Sequence, residues 1–194
     1  MPVVTALRER PRGRVEVDLD GVPWRLVPAD AIVRSGLFVG RALDREAARA
    51  LARELRRTEA LGVAVRALRF RDLSRRRLEE RLARRGTRTD ARADAIGTLE
   101  RAGLVDDRRV AAARAQALAA RGYGDAAIRF DLEREGLAGE CVAEALAALE
   151  PERERARRLV EQRGRGVQAV RWLAARGFDT GVVEDAVGGF AEEP

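Results

Sequence analysis

Three times along this chain a large aliphatic residue is followed four positions later by a glycine, and ten and thirteen positions beyond the glycine by two apolar residues. The copies are Leu82-Gly86-Ile96-Leu99, Leu132-Gly136-Leu146-Leu149 and Leu173-Gly177-Val187-Phe190, and each glycine is preceded by a leucine eighteen residues upstream, at Leu68, Leu118 and Leu159. Repetition at this scale constrains the fold more than local propensity does, because one such unit cannot bury its own apolar face and must stack on another. An aliphatic pair four apart, such as Leu78 and Leu82, lies on one helical face, and a glycine just past the last turn can take the left-handed conformation that closes it. Gly86, Gly136 and Gly177 therefore read as helix stops. The apolar pair after each glycine marks a second helix, and the upstream leucine marks a third. The first two glycines are fifty positions apart and the last two forty-one, the nine missing residues falling between Leu149 and Leu159.

The stretch before the repeats has another period. From Val15 to Leu26 apolar and polar residues alternate on both sides of Asp20-Gly21, a dipeptide suited to a two-residue turn, so this is a β-hairpin. Pro23 lacks a donor and belongs on an edge strand, and Val3 to Leu7 can supply a third strand. Pro28 to Ser35 reads as a short helix stopped by Gly36, and Asp44 caps a longer one running to about Arg57. Ser74, Thr89, and Asp106 or Asp107 are placed as caps of later helices, and Asp125, Gly139, Pro151 and Thr180 open the remaining ones. The fold expected is mainly α: a small α+β head over residues 1–58, then three-helix repeats over 59–105, 106–150 and 151–194. The residues after Phe190 are expected to fray.

The chain of 194 residues holds 38 basic and 32 acidic side chains, and every basic one is arginine, since lysine, asparagine and histidine are all missing. Lysine and asparagine have AT-rich codons, so part of the arginine excess reflects a GC-rich genome. Distribution tells more than the total. Residues 1–105 carry 24 arginines against 15 acids, a net +9, and residues 106–150 carry 6 against 9, a net −3. Without histidine there is no imidazole base or ligand, and without lysine no G-x-x-x-x-G-K-[ST] phosphate loop. Gly164-Arg165-Gly166, the densest glycine stretch, follows no strand. Asp106-Asp107 reads as a cap plus a charge at the positive end of a helix rather than an acid–base pair. These features imply a non-enzymatic protein with no cofactor and no metal. No run is long and apolar enough to span a bilayer and no signal peptide opens the chain, which points to a cytoplasmic monomer. Cys141 sits on an expected helix as a small apolar side chain.

What remains is binding. Arg77, Arg81, Arg84 and Arg88 recur at intervals of four, three and four beside the Leu78/Leu82 face, and Arg75, Arg76 and Arg85 add charge nearby. Two readings fit: a contact for phosphates or an acidic protein groove, or a solvated face made basic by codon usage. Phe130 and Trp172 stand where the first repeat has Glu80 and Arg81. They either contact a partner or pack between repeats.

The run Leu73-Ser-Arg-Arg-Arg-Leu-Glu-Glu-Arg-Leu-Ala-Arg-Arg-Gly86, then Gly103-Leu-Val-Asp-Asp107, then Arg121-Gly-Tyr-Gly124 with Ile128-Arg-Phe-Asp-Leu-Glu-Arg-Glu-Gly-Leu137 resembles the bacterial RecX regulatory proteins. Their units carry R-x-L-x-x-K/R-G, G-Y-L-D-D and R-x-x-G-x-x-x-I-x-x-E-L in the same order. The hairpin and Ser35-Gly-Leu-Phe-Val-Gly40 resemble the head that many members carry. Val105, Val110 and Asp131 depart from the family's usual residues. The resemblance implies a protein that binds the RecA filament on single-stranded DNA and restrains its extension, ATP hydrolysis, strand exchange and SOS co-protease activity. Single-stranded DNA is a further partner, touched directly or through the filament. Two other readings remain: a helical DNA-binding protein acting without RecA, and a helical-repeat scaffold, although the tetratricopeptide period of thirty-four does not fit.

Overall fold

The computed structural model describes residues 1–164 and 166–188, so Arg165 and Phe190, with the tail expected to fray, lie outside the described residues. Three strands, β1 (Val4–Arg10), β2 (Arg14–Leu19) and β3 (Val22–Pro28), form an antiparallel sheet in the order β1-β2-β3. Asp20 and Gly21, at φ 48° and 81°, make the tight turn between β2 and β3 that the sequence predicts. Pro23 lies on β3, an edge strand, where its missing N–H costs the ladder least. Ten helices follow among the described residues.

The chain packs as two compact units, one made of Met1–Arg71 and Leu78–Leu104, the other of Asp72–Arg77 and the chain from Val105 on. In the first, β1 to β3 and the short α1 (Ala29–Ser35) enclose Val4, Val15, Val17, Val27 and Ile32. Helix α2 (Arg45–Leu68) closes that core with Leu51 and Leu55. Asp44 caps it as expected, its carboxylate accepting the Ala47 N–H at 2.7 Å. The helix end expected near Arg57 is absent, and one continuous helix replaces the last helix of the head and the first of the repeats. Neither proline nor a run of glycines interrupts residues 45–68, and the Thr58 hydroxyl folds back on the Glu54 carbonyl at 2.9 Å, which accommodates it within the helix. Both halves of α2 bury a face: Leu51 toward the head, and Ala60 against Ala91 and Ala95 of α4 (Thr89–Arg101).

Helix α3 (Arg75–Arg84) buries Leu78 and Leu82 completely, and Gly86 ends it at φ 73°. Thr89 does not cap α4. Arg88 occupies that position without a side-chain bond, and Thr89 is the first helical residue.

The second unit holds α5 (Asp107–Ala120), α6 (Asp125–Arg134) and α7 (Gly139–Ala147), followed by α8 (Glu152–Arg163), α9 (Val167–Ala175) and α10 (Thr180–Gly188). One core gathers Ile128, Leu132, Leu137, Val142 and Ala145, with Cys141 partly buried at its margin. A second gathers Val160, Leu173, Phe178, Val183 and Ala186. The deepest residues of α7 and α10 thus fall six and nine positions after the glycine, while Leu146 and Val187 are only partly buried. Gly136 and Gly177 close their helices at φ 81° and 77°. Glycine 124 does something different: a Cβ there would come within 3.0 Å of the Gly177 carbonyl and the Phe178 nitrogen. Its absence lets the start of α6 lie against the α9–α10 loop, with the Gly124 N–H donating to the Arg176 carbonyl at 2.9 Å and the Ala126 N–H to the Gly177 carbonyl at 3.2 Å.

Candidate partner-binding surface

The basic run divides at Leu78. Ser74, almost fully buried, caps the start of α3 by accepting the Arg77 N–H at 3.2 Å, and its hydroxyl donates to the Glu135 carbonyl at 2.8 Å. The Arg75 N–H donates to Asp107 at 2.7 Å, and Arg76 donates from Nη2 to the Arg134 carbonyl at 2.8 Å. Arg77 pairs with Glu135 at 2.9 Å, and Arg114 shares that carboxylate at 3.3 Å while also bonding Asp131. The hydrogen bond from Arg77 holds the Glu135 carboxyl below its ordinary range, and the one from Arg114 does the same for Asp131. Arg75, Arg76 and Arg77 thus belong to the second unit, where they hold the first turn of α3 against the end of α6.

The other members lie in the first unit. Arg81 is half-buried, and Arg84, Arg85 and Arg88 are exposed. Arg88 makes one long ion pair, 3.4 Å to Asp90, with both side chains more than half exposed, so its charge stays largely available to solvent. The backbone N–H of Ala91, more than Arg88 or Arg56, keeps the Asp90 carboxyl below its ordinary range.

The two aromatic candidates differ. Phe130, on α6, is 66% exposed. Trp172 is half-buried, with the Arg163 guanidinium 3.9 Å from its ring centroid and that of Arg176 at 4.6 Å. Arg176 also lies 4.7 Å from the Tyr123 ring and donates to the Arg121 carbonyl at 2.6 Å. A Cβ on Gly122 would stand 3.0 Å from Trp172, so the ring packs between the second and third repeats, one of the two expected alternatives. Sequence reasoning did not single out Arg155. It is 4% exposed, and it donates to the carbonyls of Glu150 at 2.9 Å and Tyr123 at 2.8 Å and pairs with Asp125. Nothing in the sequence marks it, since Glu154 before it is exposed and only Ala156 after it is buried.

Asp106 accepts the N–H groups of Arg108 and Arg109, at 3.0 and 3.1 Å, and Asp107 is engaged by Arg75. The adjacent acids thus serve as cap and tether. Among the described residues, no group of three His, Cys, Asp or Glu side chains could hold a metal, and no helix is long and apolar enough to cross a membrane.

Residues 106–146 match the model of a family described as RecX, second three-helix domain. Regulatory protein RecX of Xanthomonas oryzae pv. oryzae (strain MAFF 311018) is 37% identical over 130 residues, spanning 62% of this chain and 79% of that one. The regulatory protein RecX of Thermus thermophilus is 38% identical over 130 residues, spanning 66% of this chain and 90% of the other. A crystal structure of regulatory protein RecX superposes with a TM-score of 0.82 over 95% of this chain and 100% of that one; at 19% identity the likeness is one of fold. RecX from Lactobacillus salivarius gives a TM-score of 0.61 over 69% of this chain at 15% identity. With more than a third of the aligned residues identical to the Xanthomonas and Thermus proteins across most of their length, the chain belongs to the RecX family of regulatory proteins.

Proposed function

We propose that this protein is a non-enzymatic, cytoplasmic regulator that binds the RecA filament on single-stranded DNA and restrains its extension, ATP hydrolysis, strand exchange and SOS co-protease activity. Family membership is the observation that carries the reading. Helical repeats suit it physically, because several weak contacts spread over one chain can engage successive protomers of a filament and add through effective concentration. The contact residues proposed are Arg81, Arg84, Arg85 and Arg88 of the first unit and Phe130 of α6. Arg75, Arg76, Arg77 and Trp172 act behind them by holding helices in place.

The test is single-stranded-DNA-dependent ATP hydrolysis by RecA of the same organism, with this protein titrated in after filaments have formed. Inhibition at substoichiometric protein, relieved by the double charge reversal Arg81→Glu/Arg84→Glu, is the expected result. Unchanged hydrolysis at excess protein would reject the reading. Tight, salt-sensitive binding to duplex DNA in the same preparation would then favour a DNA-binding protein that acts without RecA.

A further inference from the structure

Equivalent positions of the three repeats can be compared within one chain. One residue after the glycine, the second and third repeats bury Leu137 and Phe178; six after it they bury Val142 and Val183. The first repeat has Thr87 and Arg92 at those positions. Two positions that are apolar core in the second and third repeats are thus polar in the first, which gives up burial there.

Beside Thr87 the first unit holds a cleft of about 150 Å³ lined by Arg56, Glu59 and Ala60 of α2 and by Arg85, Thr87 and Arg88. Ala60 packs on Ala91 and Ala95, and these small side chains let α2 and α4 approach closely enough to set Arg56 against the loop. Arg92 donates to the Thr87 carbonyl at 2.7 Å and to the Thr89 hydroxyl at 3.3 Å, which fixes the loop. The Nε atom of Arg56, one of the lining residues, is buried without a hydrogen-bond partner, and an unsatisfied buried donor calls for an acceptor. Of the two acids nearby, Asp90 is engaged by Arg88 and the Ala91 N–H, and Glu59 shares the wall with three arginines. The 13-residue helix α4 also opens at this loop without a side-chain cap, adding its positive end.

We propose that this cleft binds a phosphoryl group, its oxygens accepting from the guanidinium groups of Arg56, Arg85 and Arg88 and from the Thr87 hydroxyl. Arg92 is a positioning residue. Free phosphate and a nucleic-acid phosphodiester present the same kind of charged oxygen, which the planar guanidinium matches. The inference needs no RecA and can fail or hold independently of the function proposed above.

Isothermal titration of the full chain with inorganic phosphate at low ionic strength, with chloride as control, tests it. Saturable binding is expected, weakened about tenfold or more by Arg85→Gln or Arg56→Gln, the loss of one charge-assisted hydrogen bond. It should be unchanged by Arg129→Gln on α6. Thr87→Leu restores the plug found in the other repeats and should abolish binding while the protein stays folded by circular dichroism. An abasic single-stranded oligonucleotide that displaces phosphate identifies a diester ligand; failure to displace it identifies free phosphate or a monoester. No saturation by about 10 mM phosphate, or saturation indifferent to Arg85→Gln and Thr87→Leu, would overturn the assignment.

Discussion

Gly124→Ala isolates a backbone contact that no side-chain count would reveal. Gly124 has φ −82°, which alanine adopts freely, so the substitution adds no conformational strain. What it adds is a methyl group within 3.0 Å of the Gly177 carbonyl and the Phe178 nitrogen, atoms that can move only if the α9–α10 loop moves with them. Separation lengthens two hydrogen bonds, Gly124 N–H to Arg176 and Ala126 N–H to Gly177, each contributing about 0.5–1.5 kcal/mol net. Overpacking a close contact costs a further 1–3 kcal/mol or so, and the total expected is about 3 kcal/mol. With a urea m-value of about 1–3 kcal/mol/M for a small protein, that lowers the unfolding midpoint by roughly 1–3 M. The chain has two tryptophans, Trp24 in the first unit and Trp172 in the second, so a Trp24→Phe background makes fluorescence a reporter of the second unit alone. Gly139→Ala is the control: a Cβ there meets nothing within 4 Å, and the midpoint should shift by less than the equivalent of about 0.5 kcal/mol. A Gly124→Ala midpoint equal to that of Gly139→Ala would refute the argument from close approach.

Arg155→Met should lower stability by about 2–4 kcal/mol in the same assay, because it strips the donors from two carbonyls and leaves Asp125 without its buried cation. On α6, Leu132→Ala should cost about 3 kcal/mol while Phe130→Ala, on an exposed side chain, stays within about 0.5 kcal/mol, a contrast read by thermal denaturation. Glu135 and Asp131 have carboxyls held below their ordinary values of 4.5 and 3.8 by Arg77 and Arg114. The stability they supply is therefore full above those values and disappears as pH falls through the lower folded-state values; in Glu135→Gln the acid limb of a stability–pH curve should be shallower.

The repeat glycines, the hairpin at Asp20-Gly21 and the buried Leu78, Leu82, Leu132 and Leu173 were legible because each depends on local chemistry: a left-handed backbone or one helical face. The extent of α2 was not legible, since a helix shared by the head and the first repeat has two partly buried faces and no single period to announce it. The arginine run reads as one feature in sequence, yet Arg77 is tied to Glu135, fifty-eight residues away, while Arg85 is exposed. Spacing along a helix says which side chains share a face, but not which will find a carboxylate on another element. Trp172 was ambiguous for a similar reason, because its cation partners Arg163 and Arg176 come from two different elements.

A repeated fold separates what each copy must keep from what one copy can give up. The aliphatic residue four before the glycine is buried in every copy, and the glycine itself takes the left-handed conformation at Gly86, Gly136 and Gly177, so these positions are set by helix closure and packing. The positions one and six after the glycine are core in the second and third repeats and polar in the first. Losing Leu- and Val-sized burial at two sites removes about 3–5 kcal/mol of apolar transfer free energy. The first repeat has a compensation that the other two lack: α2 extends through it into the head and anchors on Leu51 and Leu55 in a second core. A helix held at both ends tolerates a weaker middle. The copy fused to the head is therefore the one that can carry Thr87 and Arg92 at these positions, and it is there, beside Arg56 and Arg85, that the cleft lies.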